Sequence, residues 1–110
     1  MPIVHSLYQL YQNLHTLTLK FPKSQRYTLG SSVQTQLLSA LEGVIAAAGT
    51  GQPEVKLRYL QTVSTKIDLL RLLTRLSKDC QCISNKQYLE LESQLHEIGR
   101  MLGGWLKSIK

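Results

Sequence analysis

At 110 residues and 43% hydrophobic content, the chain is long enough for one compact core and too short for an enzyme cleft between two domains. Thirteen Lys and Arg against seven Asp and Glu leave a net charge of +6 and a pI near 9.6, a balance that favours polyanionic partners such as nucleic acid. No run approaches the ~18 apolar residues of a membrane span, and the N-terminus lacks a cationic stretch followed by an apolar one, which points to a soluble, cytoplasmic protein without a membrane partner.

Period and punctuation predict four helices and no strand, in one domain covering residues 1–110. The first runs from about Ile3 to Lys20, where Val4, Leu7, Tyr11 and Leu14 share a face that Leu10 and Leu17 widen. Phe21-Pro22 ends it, and Ser24 is the expected cap of a second helix over 24–48 that stops at Gly49. Gln52-Pro53-Glu54 then opens a third helix over 53–79, with proline at a first helical position and an acid in the first turn. Ser84 and Gln87 form a capping box for a fourth helix over 84–108. Its apolar residues Tyr88, Leu91, Leu95, Ile98, Leu102, Trp105 and Ile109 alternate gaps of three and four, the seam of a bundle. Short links between long helices predict an all-α, antiparallel up-down-up-down four-helix bundle. Gly99, Gly103 and Gly104 each weaken a helix by about 1 kcal/mol, and close approach of another helix is the expected compensation. A helix end at Gly104 is the alternative, although Trp105 and Ile109 keep the period.

Two helices are drier than one bundle needs. Between Tyr27 and Pro53 the only charged residue is Glu42, and Val33, Leu37, Leu38, Ala40, Leu41, Val44, Ile45, Ala47 and Ala48 cover about half the helix circumference. Leu69, Leu70, Leu72, Leu73 and Leu76 do the same on the third helix. Surplus apolar faces predict a homo-oligomer joined through Leu38, Leu41, Ile45, Leu69, Leu72, Leu73 and Leu76. The alternative is that the second helix is simply the innermost of the four.

Catalytic patterns are lacking: the seven acids are scattered, and there is neither a glycine-rich phosphate loop after a strand nor a nucleophile elbow. A di-metal bundle would need inward carboxylates, whereas Glu90 and Glu97 sit on a flank of the seam. His5, His15 and His96 come without a Glu-x-x-His pair, and Cys80-Gln81-Cys82 without a second half, so no metal site or cofactor is expected. Two residues apart, those cysteines would close a strained ring and are read as free thiols. The basic pattern is better defined. Arg71, Arg75 and Lys78 occupy a sector of ~60°, with only Asp68 and Asp79 near enough to neutralise them. Lys86, Arg100 and Lys107 fall in line opposite the fourth helix's seam. Lys20, Lys23 and Arg26 cluster between the first two helices, and Lys56, Arg58 and Lys66 form a weaker group. Tyr27, beside Arg26, is suited to stacking on an exposed base, although packing into the fold is the commoner use of such a tyrosine.

Four segments carry a resemblance: Phe21-Pro22-Lys23-Ser24-Gln25-Arg26-Tyr27-Thr28-Leu29-Gly30, Leu70-Arg71-Leu72-Leu73-Thr74-Arg75-Leu76, Ile83-Ser84-Asn85-Lys86-Gln87-Tyr88, and Glu97-Ile98-Gly99-Arg100-Met101-Leu102-Gly103-Gly104-Trp105. In this order they resemble the accessory variability determinant (Avd) proteins of diversity-generating retroelements, over roughly residues 21–107. These are related to four-helix-bundle proteins encoded in intervening sequences of large-subunit ribosomal RNA genes. The resemblance implies a positively charged, barrel-shaped homopentamer that binds the element's reverse transcriptase and nucleic acid, RNA and DNA, in the making of mutagenised complementary DNA. It implies no chemistry by the protein itself and no small-molecule substrate. Carried over by position, Lys23, Arg26, Arg71, Arg75 and Arg100 are the basic members of the shared segments. With Lys78, Lys86 and Lys107 they make up the candidate surface for nucleic acid or polymerase. A self-assembling bundle of the ribosomal branch, with another protein as partner, is the rival expectation.

Overall fold

The computed structural model describes residues 1–109. In chain order it contains α1 (Pro2–Thr18), a short α2 (Lys23–Gln25), a π-helical segment (Arg26–Gly30), α3 (Ser31–Ala48), α4 (Pro53–Asp79) and α5 (Asn85–Ser108), and among the described residues there is no strand. The long helices α1, α3, α4 and α5 make an elongated body of 44 × 23 × 19 Å. α1 packs on α3 and α5, and α4 packs on the same two, so each long helix has two neighbours around one core.

That core follows the apolar period on every helix: Leu7, Leu10 and Leu14 of α1, Val33, Leu37, Ala40 and Val44 of α3, Leu60, Val63, Ile67 and Leu70 of α4, and Leu91, Leu95, Ile98 and Leu102 of α5 are buried. Thr74 and Ser77 enter it without an orphaned hydroxyl, donating to the carbonyls of Leu70 at 2.7 Å and Leu73 at 2.8 Å. Polar ties cross the outer seams. Asn13 Nδ2 donates to Gln94 Oε1 at 2.8 Å between α1 and α5, and Gln34 Nε2 donates to Thr18 Oγ1 at 3.0 Å between α3 and α1.

Helix ends show where local chemistry decided the boundary. Ser84 accepts from the Gln87 amide at 3.1 Å while the Gln87 side chain accepts from the Ser84 amide at 2.8 Å, the reciprocal capping box. α4 starts with Pro53 and carries Glu54 in its first turn. It ends in a Schellman motif: Cys82 N donates to Ser77 O and Gln81 N to Lys78 O, with Gln81 at φ 62°. The expected second helix differs. Ser24 caps nothing; Pro22 holds the cap position, and the chain enters α3 through the π-helical segment. α1 stops at Thr18, and Phe21 folds back as a buried plug.

The glycines depart from the sequence reading too. An ideal Cβ at Gly43 would lie 2.6 Å from Val63 Cγ2, so the close helix approach is between α3 and α4. Nothing lies within 4 Å of the Cβ positions of Gly99, Gly103 or Gly104, and α5 runs through all three. The compensation by a neighbouring helix expected there is therefore not found within the protomer.

Candidate nucleic-acid interface and assembly surfaces

The eight candidate cations separate into exposed and engaged groups. Lys23, Arg75, Lys86, Arg100 and Lys107 are exposed, whereas Arg26, Arg71 and Lys78 are half-buried. Lys86, Arg100 and Lys107 form an outward column on α5, opposite the buried Leu91–Leu95–Ile98–Leu102 seam. Arg100 leans on its own helix, its Nε donating to Glu97 Oε2 at 3.0 Å and its Nη2 to the other carboxylate oxygen. That hydrogen bond holds the Glu97 carboxyl below the usual carboxylate range and makes Arg100 harder to deprotonate. An exposed pair of this kind contributes little stability, so exchange of Glu97 for a phosphate is inexpensive.

Arg71, Arg75 and Lys78 do not project together from one solvent face. α5 lies on the Arg71 and Lys78 side of α4: Arg71 Nε sits 3.5 Å from Glu92 Oε1, and Lys78 Nζ lies 4.9 Å from the centre of the Tyr88 ring. Glu92, rather than Asp68 or Asp79, therefore answers Arg71. This partner is distant in sequence and becomes visible only when α5 is docked. Glu92 Oε1 is buried and accepts no hydrogen bond, so Arg71 meets it as a charge alone. Arg26 Nη2 donates to the Phe21 carbonyl at 3.4 Å, tying the π-helical segment to the end of the first turn region.

The seven candidate interface residues also divide. Leu38 (48% exposed), Ile45 (58%), Leu72 (64%) and Leu76 (44%) are open to solvent; Leu41, Leu69 and Leu73 are half-buried, and Leu41 and Leu73 pack on the core. Leu38 and Ile45 belong to α3, Leu72 and Leu76 to α4. Leu38 and Ile45 lie within about 40° of Gln34 around α3, the flank tied to α1. Leu76 belongs to an open groove of about 690 Å³ on the α4 side, whose walls include Tyr27, Leu29, Thr35, Gln36, Leu73 and Cys80. Tyr27 is 75% exposed, so the packed role expected of it is wrong. The fold instead buries its neighbours Leu29 and Gly30.

Cys80 and Cys82 are free thiols whose spacing is explained by the Schellman stop: Cys80 occupies the exposed cap position and Cys82 turns inward. Burial, and then the nearby Cys80, push the Cys82 thiol above its ordinary pKa. Alkylation by iodoacetamide at pH 8 is expected to modify Cys80 at least tenfold faster than Cys82; equal rates by peptide mass mapping would show that the stop is frayed. Among the described residues no group of three or more His, Cys, Asp or Glu is placed to hold a metal ion, and no helix is long and apolar enough to cross a membrane.

The family model described as bAvd-like covers residues 1–109. No curated protein matches the chain.

Proposed function

Because the chain belongs to the bAvd-like family, we propose that it is a non-enzymatic accessory subunit of a diversity-generating retroelement, bridging a reverse transcriptase and its RNA or DNA in the cytoplasm. The family match over nearly the whole chain carries this reading. The four helices run up-down-up-down, and copies assemble into a ring, a homopentamer by family resemblance, through the apolar flanks of α3 and α4. The polyanion lies along the α4–α5 side, on Lys86, Arg100 and Lys107, with Arg71 and Lys78 at the seam. Repeating such a patch around a ring raises avidity without a new type of contact.

Displacement of counterions makes the test a salt titration. Affinity for structured RNA is expected to fall linearly on a log–log plot, each neutralised phosphate contributing roughly 0.7–0.9 to the slope. Changing Lys86, Arg100 and Lys107 together to Ala is expected to reduce the magnitude of that slope by about two or more per engaged protomer. Affinity that stays flat between low and high salt would overturn the nucleic-acid role. A triple variant altered only in solubility would favour the self-assembling bundle of the ribosomal branch, with the pairing of Arg71 and Arg100 to carboxylates as its support.

A further inference from the structure

We infer that the Glu92 carboxylate holds the place of a phosphate in the free protein, and that a phosphate of the bound nucleic acid takes Arg71 from it. This rests on the nucleic-acid role proposed above and adds an internal competitor that limits the affinity. Arg71 Nε lies 3.5 Å from Glu92 Oε1, yet that oxygen accepts no hydrogen bond, so the two meet as charges and the N–H donors of the guanidinium remain free for a better acceptor. Arg100 differs, since it gives two donors to Glu97 on its own helix. The fork of Arg71 suits the two unbridged oxygens of a phosphodiester, which accept parallel N–H bonds where Glu92 Oε1 accepts none.

Position brings the two acceptors into competition. Glu92 stands between Lys86 and Arg100 on α5, about 9 and 12 Å from them along the axis, so a strand laid on the α5 column passes the level of the Arg71 contact. The Arg71 side chain is 41% exposed and that of Glu92 27%, which makes the cation the more accessible partner and the acid the more deeply set one. Withdrawal of Arg71 leaves a carboxylate oxygen that is buried and unpartnered, and this costs free energy. An arriving phosphate also meets the negative charge of Glu92 at close range. Both effects oppose binding, so Glu92 lowers the affinity that the cations would otherwise give. Lys78, farther along the same seam, has the Tyr88 ring rather than an acid beneath it and meets no such competitor.

Affinity for a hairpin RNA of mixed sequence is measured at one fixed salt concentration for the parent and for single and double variants. Glu92→Gln is expected to bind about fivefold more tightly than the parent. Glu90→Gln removes the same charge from an exposed position on the same helix and is expected to gain less than about twofold. Glu92→Asp keeps the charge, withdraws it from Arg71 and is expected to retain part of the gain. In Arg71→Ala the affinity falls, and adding Glu92→Gln to it brings no recovery. Equal gains from Glu90→Gln and Glu92→Gln, or a Glu92→Gln gain that survives Arg71→Ala, would reduce the effect to net charge and overturn the inference. No gain from either Glu92 variant, with both folded by circular dichroism, would make the contact purely structural and overturn it as well. A parent that binds the RNA at no salt concentration would overturn the nucleic-acid role beneath it.

Discussion

Leu95→Ala is expected to lower the free energy of unfolding by about 3 kcal/mol, within the 2–5 kcal/mol spread of buried leucine truncations. Leu95 lies at the middle of the α5 seam and is fully buried, so the lost methyl groups leave a cavity that the facing leucines cannot close without leaving their rotamers. The measurement is urea unfolding followed by far-ultraviolet circular dichroism, at one fixed protein concentration because self-association shifts apparent stability. A loss under 1 kcal/mol would mean that this part of the core is loosely packed. The exposed Leu72→Ala in the same assay, at a concentration where only protomers are present, is expected to change stability by less than about 0.5 kcal/mol.

Alanine at the glycines is expected to act in opposite directions at two places. Gly99, Gly103 and Gly104 have open space where a Cβ would stand and lie in the interior of α5. Replacing all three by Ala is expected to raise protomer stability by about 2–3 kcal/mol, the sum of the helix-propensity differences. Gly43→Ala is expected to destabilise by about 1–2 kcal/mol net, because its Cβ would stand 2.6 Å from Val63 Cγ2 and overpacking outweighs the gain in propensity. Val63 is buried and β-branched, so its rotamer has little room to give. Gly43→Ala combined with Val63→Ala is expected to recover part of that loss. If the triple alanine variant lost stability in the assembled protein while gaining it in the protomer, another molecule would have to pack against that face of α5.

Some of this was legible from local pattern and some was not. The α4 and α5 boundaries were readable to within a residue because Pro53, Glu54, Ser84 and Gln87 act on backbone groups a few positions away. The entry to α3 was misread: Ser24 is a good cap by type, but the burial of Phe21 and Leu29 on either side of the turn favours a π-helical passage. Likewise, Lys86, Arg100 and Lys107 could be set on an outer face from spacing alone, since the seam they oppose lies on the same helix.

The amino-acid order alone determined an all-α protein, the seam of α5, the start of α4 and the cap of α5, the excess of cations and the surplus of apolar surface, because each depends on period, composition or neighbours within a turn or two. The tertiary structure decided which cations are engaged, setting Glu92 on Arg71 and Tyr88 beneath Lys78. It also decided that the close helix approach falls at Gly43, and that Leu73 and Leu76 line a groove with Tyr27 while Leu38, Ile45 and Leu72 lie open to solvent. These depend on which flank of one helix meets which flank of another, and such meetings join residues far apart in the chain whose distances no periodicity encodes.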